Sequence, residues 1–155
     1  MGVGKTTVGK KLAKSLSLPF IDTDAIVVRS HGDIATIFAN QGEAQFRAFE
    51  EDAVLDSLGK QAVIATGGGA VLSQRIREAL SVAVVVYLST DGRHIAGRIA
   101  NSNRPLLKTG ISDWRTIYES RKHLYEQVAD ITVDTSASSL SSTIDQITQE
   151  LKRFD

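Results

Sequence analysis

Two spacings of apolar residues alternate along the chain, and they predict its elements. From Thr6 to Leu18, the positions Val8, Leu12, Ala13 and Leu16 share one helical face, and Lys10, Lys11 and Lys14 fall mostly off it. Pro19 stops that helix. Phe20-Ile21 reads as a short strand that runs into Asp22-Thr23-Asp24. Residues 25–58 carry no strong strand signal and predict two or three helices, broken near His31-Gly32 and Gln41-Gly42. The last of these, Glu43 to Leu58, has apolar residues at 46, 49, 53, 54 and 58. Ala62-Val63-Ile64-Ala65 is a second strand, followed by Gly67-Gly68-Gly69, and Ser73 to Leu80 is a short helix. The nearly continuous apolar run Val82 to Leu88 predicts a strand covered on both faces of a parallel sheet. Asp91 to Ala100 reads as a helix, Asn101 to Gly110 as a basic loop and Ser112 to Gln127 as a helix. Ile131 to Val133 is a strand, and Leu140 to Arg153 is a last amphipathic helix.

Short strands alternating with helices predict an α/β fold, a parallel sheet with helices on both faces and its site at the carboxyl ends of the strands. Four strands are visible, and a fifth is expected before Met1. At 155 residues, with no internal repeat, residues 1–155 form one domain.

Composition narrows the function. Lys plus Arg and Asp plus Glu are 18 each, a balance that argues against nucleic-acid or membrane-surface binding. The absence of cysteine excludes disulfides, thiolate metal sites and Cys nucleophiles. No apolar run approaches the roughly 20 residues that span a bilayer. The expected location is the cytoplasm.

Four features carry candidate chemistry. Gly4-Lys5-Thr6 at a helix start is part of the phosphate-loop pattern G-x-x-x-x-G-K-[ST], whose first glycine would lie two positions before Met1. Such a loop binds nucleotide phosphates through backbone N–H groups and the helix N-terminus. A flexible terminus on a helix is the plainer reading of that tripeptide alone. Asp22 and Asp24 are alternate residues at a strand end, so both carboxylates can face one site; a helix N-cap is the competing reading. Gly67-Gly68-Gly69 suits a backbone that approaches a ligand closely, or a generous turn. Arg47, Arg98, Arg104 and Arg121 are candidates for an anionic ligand, against the plainer reading of surface charge. The histidines at 31, 94 and 123 lack metal-ligand spacing, and Trp114, Ile117, Tyr118 and Tyr125 read as packing.

Together these features are far more specific than any one of them. The chain resembles shikimate kinases over essentially its whole length. The resemblance rests on Gly4-Lys5-Thr6-Thr7, Asp22-Thr23-Asp24, Phe46-Arg47-Ala48-Phe49-Glu50-Glu51 and Ala65-Thr66-Gly67-Gly68-Gly69-Ala70-Val71. It continues through Arg104-Pro105-Leu106-Leu107, Arg121-Lys122-His123-Leu124-Tyr125 and Val133-Asp134-Thr135.

The resemblance implies a three-layer fold with strand order 2-3-1-4-5, a substrate-binding helical region at 24–60 and a lid at 99–111. It implies ATP and Mg²⁺ as cofactors, shikimate as the acceptor at its 3-hydroxyl, and a monomer. Gly2, Val3, Gly4, Lys5, Thr6 and Thr7 would bind the nucleotide, with Arg98 and the loop after Thr135 about the adenine and Arg104 closing over the phosphates. Thr6 would ligate Mg²⁺ directly and Asp22 through water. Lys5, Asp24 and Arg104 would be catalytic. Asp24 would orient the attacking hydroxyl, while Arg47, Arg121 and Gly67, Gly68 and Gly69 would hold shikimate, with the N–H groups of Gly68 and Gly69 beside its carboxylate. The same reading places strand 1 outside this chain, with Met1 as an internal methionine of a longer one. The alternatives are a gluconate kinase-like enzyme of the same fold and a truncated, non-catalytic relative.

Overall fold

The computed structural model describes residues 4–93, 95 and 111–155. Its order is α1 (Lys5–Leu16), β1 (Phe20–Asp22), α2 (Thr23–His31), α3 (Ile34–Gln41), α4 (Glu43–Leu58), β2 (Val63–Ala65), α5 (Gln74–Ala79), β3 (Val86–Ser89), α6 (Ile111–Val128), β4 (Ile131–Asp134) and α7 (Leu140–Leu151). The expected helix over Asp91 to Ala100 and the loop to Gly110 lie almost wholly outside the described residues, as do Gly2, Val3, Arg98 and Arg104.

The strands form two parallel pairs. β1 pairs with β2, Asp22 opposite Ala65, and β3 pairs with β4, Ser89 opposite Asp134. These pairs match the two flanks of the 2-3-1-4-5 order. Between them runs an apolar cavity of about 480 Å³, lined by Val8, Leu12, Ile64, Val86, Leu88 and Ile147 among others. Every strand ends toward a turn or helix start that carries polar side chains, as a parallel arrangement requires.

Local chemistry explains the boundaries. Asp22, Asp33, Ser73 and Ser139 cap α2, α3, α5 and α7 by accepting backbone N–H groups of the first turn. The two breaks expected in residues 25–58 fall at Gly32 and Gly42, both at positive φ (95° and 87°), where a side chain would be strained. Gly9 lets α1 lie on β1, since a Cβ there would stand 2.5 Å from the Phe20 ring.

One strand is shorter than its apolar run. Leu80–Val82 forms a 3-10 turn closed by Ala83 N–H donating to the Leu80 carbonyl, so β3 begins only at Val86. Val82 is 75% exposed, and only Tyr87 and Leu88 of the run are buried. Periodicity cannot detect such a turn, because Leu80, Val82 and Val84 keep the run apolar.

The main core packs α1, α6 and α7 against β3 and β4 through Leu12, Trp114, Tyr118, Val133 and Ile147. A second cluster, Val27, Ile37, Phe46 and Ala53, joins α2, α3 and α4 into a separate helical unit beside β1 and β2. That unit occupies the region expected to bind substrate.

Candidate active site

The site begins where α1 begins. Gly4 caps α1 in the left-handed region (φ 85°, ψ 29°), which glycine adopts without steric cost. The Thr6 hydroxyl donates to Asp22 Oδ2 at 3.4 Å. The other oxygen, Asp22 Oδ1, accepts the N–H groups of Asp24 (3.0 Å) and Ala25 (3.3 Å). One oxygen caps α2, and the other faces the first hydroxyl of α1.

Asp24 reaches the site by another route than strand alternation. The chain turns helical at Thr23, so Asp24 sits in the first turn of α2 and not on a shared strand face with Asp22. Thr23 is buried, and its hydroxyl donates to the Ala65 carbonyl, tying the turn to β2. The Asp24 carboxylate then lies against the triple glycine. A Cβ on Gly67 would stand 3.0 Å from Asp24 Oδ1 and 2.6 Å from Glu50 Oε2. Gly67 is glycine because two carboxylates crowd it.

Arg47 and Glu50 form the next layer. Arg47 Nη1 donates to Glu50 Oε1 at 2.8 Å and Nη2 to Glu43 Oε1 at 3.3 Å, while Nε is buried without a hydrogen-bond partner among the described residues. A Cβ on Gly69 would run into this guanidinium. Glu50 is only 2% exposed. Burial pushes its carboxyl above the ordinary 4.5, Arg47 pulls it back, Asp24 pushes it up further and Arg121 lowers it. No role was read for Glu50 from the sequence, although the i,i+3 spacing from Arg47 is a legible pairing signal.

The raised Glu50 pKa has a defined effect on stability. Between 4.5 and its higher folded value, Glu50 is protonated when folded and ionised when unfolded. Its contribution is complete below 4.5 and is lost as pH rises through the folded pKa. Glu50→Gln is expected to flatten that part of the curve of melting temperature against pH. An unchanged slope in paired melting series would contradict this.

Arg121 comes in from α6. It is 5% exposed, yet no carboxylate lies within ion-pair distance of it among the described residues. A buried guanidinium in that condition is costly and suits an anion brought from outside. Four residues along α6, Tyr125 donates its phenol proton to the Gly68 carbonyl at 2.6 Å. Tyr125 also packs on Tyr87, with ring centroids 5.3 Å apart, as expected of a packing residue.

At the ends of the other strand pair, Thr135 Oγ1 donates to the Ser89 carbonyl at 2.9 Å and the Asp91 N–H to Ser136 Oγ at 2.8 Å. The loop after Thr135 is thus tied to the segment that leads toward residue 98. His31 stacks on Phe49, and no cluster of three or more His, Cys, Asp or Glu suited to a metal occurs among the described residues. No helix among them is long and apolar enough to cross a membrane.

The fold and site define a class: a parallel α/β protein whose first described helix starts at a glycine-lysine-threonine turn, with the Thr6 hydroxyl facing the Asp22 carboxylate at the end of β1. Comparison with known proteins gives the family. The shikimate kinase family model matches residues 1–152. The chain is 42% identical to a shikimate kinase of Streptomyces coelicolor over 96% of its own length and 87% of that protein's. It is 40% identical to one from Alteromonas mediterranea, over 97% and 92%. Among solved structures, a shikimate kinase from Acinetobacter baumannii in complex with shikimate superposes with a TM-score of 0.94 at 35% identity, covering 100% of this chain and 90% of that one. The chain belongs to the shikimate kinase family, and so to the phosphotransferases that use ATP in the shikimate pathway of aromatic amino-acid biosynthesis.

Proposed function

We propose that this chain transfers the γ-phosphoryl group of ATP to the 3-hydroxyl of shikimate, giving shikimate 3-phosphate. The observation that carries the reading is that Asp24 and Arg47 lie against Gly67 and Gly69, while Arg121, near enough to act on Glu50, is a buried guanidinium with no ion pair among the described residues. That set suits a small ring bearing one carboxylate and several hydroxyls. Arg47 and Arg121 hold the carboxylate in the fork geometry that guanidinium offers. The Gly67–Gly69 backbone lets the ring approach closely. Asp24 orients the 3-hydroxyl and accepts its proton as the phosphoryl group arrives.

At the other side, Lys5 neutralises charge on the transferring phosphate, and the N-terminus of α1 holds its oxygens. Thr6 and Asp22 form a hydroxyl–carboxylate pair of hard oxygen donors, which fits Mg²⁺ held directly by Thr6 and through water by Asp22. When bound, Mg²⁺ neutralises phosphate charge and orients the chain of phosphates. Arg104 belongs to the proposed lid over 99–111, and Arg98 to the adenine side with Gly2 and Val3 at the phosphates. The protein works as a cytoplasmic monomer with residues 24–60 as its acceptor-binding region.

A coupled assay of ADP release with shikimate and with gluconate tests the reading. Turnover with shikimate and none with gluconate is expected. Turnover with gluconate would replace the acceptor, and binding of shikimate without turnover would make the chain a non-catalytic relative.

A further inference from the structure

Tyr125 sits where the two halves of the carboxylate pocket meet. Its phenol donates to the Gly68 carbonyl, 57 residues away in sequence, at 2.6 Å. A peptide unit is planar, so pinning the Gly68 carbonyl also sets the direction of the Gly69 N–H on the far side of the same plane. Gly69 is the glycine against which the Arg47 guanidinium rests. On its own helix Tyr125 is one turn beyond Arg121, so the two side chains share a face. Burial raises the Tyr125 pKa, and the adjacent Arg121 guanidinium holds it down. The ring is itself fixed by Tyr87 and Tyr118, at 5.3 and 6.1 Å between centroids.

We infer that Tyr125 is a positioning residue for the acceptor. Its single phenol oxygen couples the Gly68–Gly69 peptide to the Arg121 side of the pocket and so sets the spacing between the two groups that hold the acceptor carboxylate. The inference rests on the proposed shikimate reading. It assigns Tyr125 no contact with the reacting atoms. Its effect falls on acceptor binding and spares the nucleotide, because Gly68, Gly69 and Arg121 belong to the acceptor pocket while the nucleotide side is built on α1.

Tyr125→Phe tests it, because the ring keeps its packing and only the oxygen goes. A lost buried hydrogen bond in a binding site corresponds to roughly a five- to tenfold change in an equilibrium constant. The expected result is a KM for shikimate raised by about that factor, a KM for ATP within about twofold of the parent, and a matching loss of shikimate affinity by titration calorimetry. Tyr118→Phe is the control for structural loss. It removes the hydroxyl that bonds to Tyr87 outside the pocket, and it is expected to lower the melting temperature while leaving the KM for shikimate in place. If Tyr125→Phe lowers the melting temperature and moves neither KM, or moves both equally, Tyr125 is structural only and the inference is overturned. If the parent protein binds no shikimate in the same calorimeter, the function proposed above fails and the inference falls with it. Parent binding with an unaltered variant overturns the inference alone.

Discussion

Asp24→Asn is expected to lower turnover with shikimate by roughly 10²–10⁴-fold, the range for loss of a positioned general base. Asparagine keeps the size of the side chain but loses the charge and the ability to accept a proton. The structure adds a second expectation that separates chemistry from folding. Asp24 and Glu50 crowd the same glycine, and the Asp24 charge raises the Glu50 pKa. Neutralising Asp24 removes that like-charge push, so the part of the curve of melting temperature against pH that Glu50 governs is expected to move to lower pH in the variant. Initial rates with saturating ATP, read beside thermal melts by circular dichroism, check both. A rate loss under tenfold in a well-folded variant would remove Asp24 from the role of base.

Arg121→Leu is expected to separate stability from function most sharply. The guanidinium is buried without an ion pair among the described residues, so the folded chain carries much of its desolvation cost. Leucine fills a similar volume without that cost. Arg121 does favour the ionised form of Glu50, but it is the last of the causes acting there, and Arg47 supplies the main counter-charge. Glu50 therefore stays paired with Arg47, and the relieved desolvation is set against the lost contact with Tyr125, so the melting temperature is expected to stay near that of the parent. Binding is where the loss falls. Removing one partner of a desolvated charge pair costs about 2–5 kcal/mol, so shikimate affinity is expected to fall at least ~30-fold. A variant that is both less stable and unchanged in shikimate KM would contradict the assignment of Arg121 to the acceptor.

These two effects rest on groups that differ in how far the sequence betrays them. Arg121 stood out as a candidate within the run Arg121-Lys122-His123-Leu124-Tyr125, but its burial did not. An arginine on a charged amphipathic helix carries the same local pattern whether it is solvated or enclosed. Its enclosure depends on elements that approach from elsewhere in the chain. Asp22 shows the opposite case. Capping is a local event between a side chain and the next three residues, so the cap was foreseeable from residue types alone. Its second hydrogen bond, to Thr6, crosses 16 residues and was legible only through the family resemblance. Strand β3 shows a failure of the local signal, because a 3-10 turn inside an apolar run leaves the run intact.

What the amino-acid sequence determined by itself was the parallel α/β architecture, the glycine breaks at 32 and 42, the cap at Asp22 and the helix start at Gly4-Lys5-Thr6. Each follows from periodicity or backbone freedom within a few residues. Only the tertiary structure decided that Glu50 is a buried partner of Arg47, that Asp24 meets the triple glycine from a helix, and that Tyr125 holds Gly68. The Asp24 and Tyr125 contacts join elements far apart along the chain, and the Arg47–Glu50 pair, although within one helix, is buried only by what packs on α4. Their energies come from burial and from distances between groups, and neither exists until the helices of residues 23–58 and α6 have closed on the end of β2.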